Sequence, residues 1–132
     1  MTDFEKIKSL GETYGTPLYV YDRRIFEENA DTLLKTILPG ARLFYSIKAN
    51  PLVGVCQIFK NKGLGIECAS AGELKTAVKA GFEGKDIVFT SPGKTAKEIE
   101  LAMEIGVKVI NVETVAEAKL IDEIAAKRGV NF

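Results

Sequence analysis

Apolar and polar positions along the chain change period several times, and the changes mark out its elements. Phe4, Ile7 and Leu10 recur at helical spacing as far as Gly15, and Thr2-Asp3-Phe4-Glu5 has the form of a capping box. Thr16-Pro17 breaks that helix, and the alternating "PLYVYD" that follows predicts a short strand. Asp22 can cap a second helix on which Phe26, Ala30, Leu33 and Ile37 share one face, up to the stop at Pro39-Gly40. "RLFYSIK" predicts a core strand. Asn50 and Pro51 then predict a helix N-cap and first position, with Leu52, Val55, Cys56 and Phe59 as the buried stripe and Gly63 as the end.

From that point a unit repeats. "GIECA" leads into "SAGE", "DIVFT" into "TAKE" and "KVINVE" into "TVAE". Each tetrapeptide has the form S/T-x-x-E, so Ser70, Thr95 and Thr114 can each accept an otherwise unpaired N–H in a first helical turn. Each following helix ends at a glycine, Gly81, Gly106 or Gly129. Strands alternating with capped helices predict a parallel sheet with right-handed crossovers. "GVNF" reads as the opening of a further strand. The expected fold class is therefore α/β: four βα units over 41–132, preceded by an N-terminal segment, 1–40, of two helices and a short strand. A closed eightfold barrel takes about 250 residues. The 132 residues here amount to an open α/β sheet or to half of a barrel.

Composition narrows the function. Hydrophobic residues at 46% and charged residues at 27% are ordinary for a soluble globular protein. Lys+Arg and Asp+Glu number 18 each, so net charge gives no case for nucleic acid or an anionic membrane surface. No apolar run approaches the roughly 18 residues of a membrane span. The start "MTDFEKIKSLGE" is no signal peptide, so a cytoplasmic location is expected. Histidine is absent, which excludes a Ser-His-Asp triad, a Cys-His pair or a histidine zinc site within these residues. Cys56 and Cys68 match no metal spacing and read as buried reduced thiols.

The residue that core packing does not explain is Lys48. Alternation puts Leu43, Tyr45 and Ile47 on one face of its strand and Phe44, Ser46 and Lys48 on the other. In a barrel the apolar face meets the helices, and Lys48 points inward at the C-terminal end, where barrel enzymes keep their chemistry. Glu67, Thr90, Asn111 and Glu113 stand at the same end of the other strands. A desolvated lysine offers a free amine that attacks carbonyls. A lysine surfacing at a strand end has the same pattern. "PGKT" is not a phosphate-binding P-loop, because Val88 stands where that motif requires glycine. "GLG" at 63–65 lacks the third glycine of a dinucleotide motif and precedes a strand, so it is a turn.

"YSIKANP", "GIECASAGEL", "AGF", "FTSPGKT" and "INVET", in this order, resemble the N-terminal part of the fold-type III decarboxylases that use pyridoxal phosphate. That family includes diaminopimelate, ornithine and arginine decarboxylases, and "TPLYVYD" resembles its N-terminus. The resemblance extends over nearly all of this chain and about the first third of such an enzyme. It implies a partial (β/α)8 TIM barrel in which Lys48 forms the Schiff base with pyridoxal 5'-phosphate. It also implies a small amino-acid substrate that loses its α-carboxylate, with meso-diaminopimelate to L-lysine as the most similar reaction. Related decarboxylases of siderophore, antibiotic, polysaccharide or polyamine pathways share the motifs. Glu67 stands where the family usually has aspartate, and Asn111 falls in a stretch that resembles the family's "N-V-E-S". Both are further candidates for the cofactor site. Glu73 resembles a family glutamate, although its capping position already accounts for it. The family's ring-stacking histidine, glycine-rich phosphate loop, pyridine-nitrogen glutamate and C-terminal β-domain have no counterpart in these residues. The chain alone is thus expected to be inactive, and to form a homo-oligomer or pair with the missing half of the barrel. Without the resemblance, a non-catalytic half-barrel assembly module or a small α/β protein holding an anion on Lys48 stays open.

Overall fold

The computed structural model describes residues 3–131. Two helices, α1 (Asp3–Tyr14) and α2 (Arg23–Leu34), precede β1 (Phe44–Ser46) and α3 (Val53–Asn61). Then follow β2 (Gly65–Cys68), α4 (Ala71–Lys79), β3 (Ile87–Phe89), α5 (Ala96–Ile105), β4 (Val109–Ile110) and α6 (Val115–Arg128). The strands lie in the order β1-β2-β3-β4 and every pairing is parallel. The result is an open α/β sheet with α3–α6 on one face and α2 against α3.

Strand alternation explains that one-sidedness. Ile66, Cys68, Ile87 and Phe89 are fully buried and pack with Cys56, Leu74, Ala77 and Ala102 from the helices. A second cluster joins α5 to α6 through Ile99, Met103, Ile121, Ile124 and Ala125. The opposite face carries the register row Ser46, Glu67, Val88 and Val109, none of them fully buried. Gly65 is dictated by close approach: a Cβ there would collide with the Phe44 ring and lie 3.0 Å from the Asp86 carbonyl oxygen.

The three expected N-caps are in place. The side-chain oxygens of Ser70, Thr95 and Thr114 accept the N–H of Glu73, Glu98 and Glu117 at 3.2, 3.3 and 3.1 Å. The glutamates also reach further. Glu98 closes a reciprocal box on the Thr95 N–H and accepts the N–H of Ala71, the first residue of α4, at 3.4 Å. Glu117 accepts the N–H of Glu113 and, from the preceding unit, that of Lys94.

Several expected boundaries move. Residues 17–22 form no strand, and Tyr19 within them is 87% exposed. Their period of two supplies a strand's side-chain pattern. A strand also needs a neighbouring backbone for its hydrogen bonds, and the described sheet contains only β1–β4. The α2 helix stops at Leu34, leaving Ile37 beyond it. The α1 stripe is in place but has no cover, since α1 buries none of its residues. Val130 donates its N–H back to the Ala125 carbonyl and closes the end of α6, as Leu64 and Val107 do before β2 and β4, and residues 130–131 are not themselves in a strand. Phe132 and Thr2, parts of the expected further strand and first capping box, lie outside the described residues.

The start of α3 differs from expectation for a reason that bears on Lys48. Its N-cap is Leu52, not Asn50. Asn50 is extended (φ −160°, ψ 107°), as the residue before a proline prefers. Its side-chain oxygen accepts the Leu52 N–H at 3.1 Å. Leu52 is consequently exposed, and Val55, Cys56 and Ile58 are the buried residues of α3. Among the described residues no helix is long and apolar enough to cross a membrane.

Candidate active site

The β1 strand stops at Ser46, two residues short of the lysine. Ile47 remains fully buried against the helices, and Ile47–Ala49 form a single 3-10 turn closed by the Asn50 N–H on the Ile47 carbonyl at 3.1 Å. Lys48 therefore stands on this turn, at the carboxyl end of β1, and the turn sets its direction in place of the strand's pleat. It is exposed and has no hydrogen-bond or ion-pair partner among the described residues.

At the same carboxyl end of the sheet, the ends of three consecutive strands converge on one carboxylate. Ser46 and Glu67 are register partners, and the Ser46 hydroxyl donates to Glu67 Oε2. The Thr90 hydroxyl donates to Glu67 Oε1, and the Thr90 N–H extends the ladder past β3 to the Cys68 carbonyl at 2.9 Å. Glu67 and Thr90, both expected at the rim, thus meet. Ser46 is the addition, and its role follows from strand offset, which sequence does not display. Asn111 and Glu113 stay apart from this group. The Asn111 N–H pairs with the Phe89 carbonyl, the Glu113 N–H donates to Glu117, and both residues are exposed. The Glu73 carboxylate accepts the Ala69 N–H at 2.6 Å, which agrees with its capping role.

Lys94, the lysine of "PGKT", has the opposite character. Its side chain is 0% exposed. Its ammonium donates to the carbonyls of Ser91 and Asn111, both at 2.5 Å, and to Glu117 Oε1 at 3.3 Å, and it lies 5.6 Å from the Phe89 ring centroid. Three acceptors use all three of its N–H bonds. The Glu113 N–H and then the Lys94 contacts hold Glu117 below the usual carboxylate range. Sequence alone hides this latch, because it joins residues 23 positions apart. The two thiols are buried and free; burial pushes Cys68 up to about 12 and raises Cys56 as well, which favours the less reactive protonated thiol at both.

Residues 25–131 match the family described as pyridoxal-dependent decarboxylase, pyridoxal binding domain. The chain belongs to that family. It is 38% identical over 125 residues to an L-glutamyl-(BtrI acyl-carrier protein) decarboxylase of Niallia circulans, covering 95% of this chain and 29% of the relative. It is 35% identical over 127 residues to the diaminopimelate decarboxylase of Zymomonas mobilis, covering 93% of this chain and 30% of that enzyme. Among solved structures, diaminopimelate decarboxylase from Helicobacter pylori complexed with L-lysine superposes with a TM-score of 0.85 at 34% identity. That match covers 95% of this chain and 32% of the other. The chain thus spans about a third or less of the length of the relatives it matches, and its open sheet has the fold of a partial barrel.

A pyridoxal-dependent decarboxylase needs a primary amine at the sheet's carboxyl end that is free to bond to the cofactor aldehyde. The described lysines at this rim divide cleanly on that criterion. Lys94 is saturated by its acceptors and shielded from solvent, whereas Lys48 is uncommitted and accessible. The donor set at β1 fits the cofactor; the set around Lys94 does not.

Proposed function

We propose that the chain is the lysine-bearing N-terminal part of an amino-acid decarboxylase dependent on pyridoxal phosphate, with Lys48 as the cofactor anchor. The exposed amine of Lys48 at the end of β1, without a hydrogen-bond or ion-pair partner among the described residues, is the observation that carries this reading. When bound, pyridoxal phosphate supplies the electron sink for loss of an amino acid's carboxylate as CO2. Lys48 Nζ holds the cofactor in place. Glu67, held by the Ser46 and Thr90 hydroxyls, and Asn111, at the end of β4, are assigned to the cofactor site from the same carboxyl end of the sheet.

We assign diaminopimelate as the substrate, giving L-lysine, in a cytoplasmic enzyme with residues 41–132 as the first four βα units of its barrel. Several relatives named diaminopimelate decarboxylase support this. The glutamyl carrier-protein decarboxylase, at a similar identity, supports a second reading: a related decarboxylase acting on another amino-acid carboxylate. The chain alone does not turn over amino acids, since it contains no histidine to stack on the cofactor ring. The open edges of β1 and β4 favour pairing with a second copy or with the rest of a barrel.

The test is to incubate the chain with pyridoxal phosphate, reduce with borohydride and map the adduct by mass spectrometry. Preferential labelling of Lys48 is expected. Labelling spread evenly over the exposed lysines would refute the anchor. Robust decarboxylation of diaminopimelate by the 132-residue chain would overturn its inactivity.

A further inference from the structure

Tyr45 immediately precedes Ser46 and points to the opposite, helix-covered face of β1. Its ring stacks on Phe59 of α3 with centroids 4.0 Å apart and planes 20° from parallel. Phe59 in turn meets Phe26 of α2 edge-on at 5.9 Å. For that packing alone, a phenylalanine at position 45 would serve equally well. The hydroxyl has a separate job: it donates to the Asn50 carbonyl at 3.0 Å.

Asn50 closes the turn that carries Lys48. Its N–H is on the Ile47 carbonyl, its side-chain oxygen accepts the Leu52 N–H, and its own carbonyl takes the Tyr45 hydroxyl. At the other end of the turn Ile47 is locked in the core. Lys48 lies between these two fixed points, and its ammonium has no hydrogen-bond or ion-pair partner among the described residues that would orient it. Its aim is therefore a property of the backbone turn. Burial raises the Tyr45 phenol's pKa, which keeps it a donor at all ordinary pH values.

Resting on the reading of Lys48 as the cofactor anchor, we propose that Tyr45 is a positioning residue, acting through the Asn50 carbonyl to hold the turn that aims the Lys48 amine. Tyr45→Phe removes the donor and keeps the stacked ring, while Phe59→Leu removes the stack and keeps the donor.

The 132-residue chain and both variants are treated with pyridoxal phosphate and borohydride across a pH series. The lysine amine adds to the aldehyde carbon, one water leaves, and hydride from borohydride reduces the C=N bond to a stable secondary amine. The readout is Lys48 adduct relative to adduct on exposed lysines such as Lys85 and Lys97, with circular dichroism as the fold control. In Tyr45→Phe that ratio should fall about fivefold at every pH, the factor one hydrogen bond of ordinary strength carries. Phe59→Leu should lower the melting temperature and leave the ratio unchanged.

No Lys48 preference in the wild-type chain overturns the anchor reading itself. A wild-type preference that survives intact in folded Tyr45→Phe overturns the positioning role, as does an equal fall in both variants. Should Tyr45→Phe fail to fold, amide hydrogen exchange of the wild-type chain decides. Protected Asn50 and Leu52 amides are expected, and free exchange at both refutes a held turn.

Discussion

Replacing Lys94 by methionine keeps the length and apolar stem of the side chain and removes only its ammonium. Three contacts go with it: the carbonyls of Ser91 and Asn111 and the carboxylate of Glu117. Removing one member of a buried ion pair costs about 3–5 kcal/mol, because the partner charge is left behind. Two features place Lys94→Met near the lower end. Glu117 keeps two backbone N–H donors, from Glu113 and Lys94 itself, and methionine restores apolar contact with Phe89. We expect a loss of about 3 kcal/mol, a large share of the roughly 5–15 kcal/mol that holds a typical domain folded. In urea titration the midpoint should drop with an unchanged slope. In thermal melts the shift should be about 10 °C. Glu117→Gln should lose about 2 kcal/mol, since an amide N–H then faces backbone donors, and the double variant less than the sum, since the two share one interaction. A Lys94→Met chain within about 0.5 kcal/mol of wild type would refute the latch.

Acid should weaken the fold through the same glutamates. Glu98, lowered chiefly by the Thr95 N–H, and Glu117, lowered chiefly by the Glu113 N–H, titrate in the folded chain below the ordinary value of 4.5. Their contribution is complete above that value and is lost as pH falls through the lower folded-state values. Circular dichroism against pH should show a shallower acid transition in Glu117→Gln, and an identical one would count against this assignment. Lys48→Ala should change stability by less than about 0.5 kcal/mol while abolishing specific cofactor labelling, which urea titration and mass spectrometry read separately. Gly65→Ala, which drives a methyl into the Phe44 ring, should cost about 2 kcal/mol; a neutral result in denaturant titration would show that the ring moves aside freely.

What could be read directly from the residues was whatever is encoded within one turn. Ser70, Thr95 and Thr114 announce their helices because the capping partner sits three residues on. The alternation in "GIEC" and "DIVF" assigns a helix-facing side because the pleat has a fixed period. Lys48 was legible as a rim residue for the same reason. The turn that actually carries it was not, because it is marked by hydrogen bonds of Asn50 to Leu52 and Tyr45 that no local pattern announces. "PLYVYD" misled because its pattern describes side chains, whereas a strand is completed by another strand. Lys94 looked like a failed phosphate motif. Its true partner, Glu117, lies a whole βα unit downstream, and nothing local to "PGKT" points to it.

The backward reach of Glu98 and Glu117 gives the repeat a direction. Each of these side chains fastens a backbone N–H in the unit that came before its own, like a roof tile whose hook grips the course already laid. Each unit's loop is therefore completed by a side chain of its successor, and a chain cut between Gly106 and Thr114 leaves the Lys94 ammonium without its Glu117 partner. Limited proteolysis of a chain ending at residue 113 should open at 91–95 first, and equal resistance there would show that the hook is dispensable.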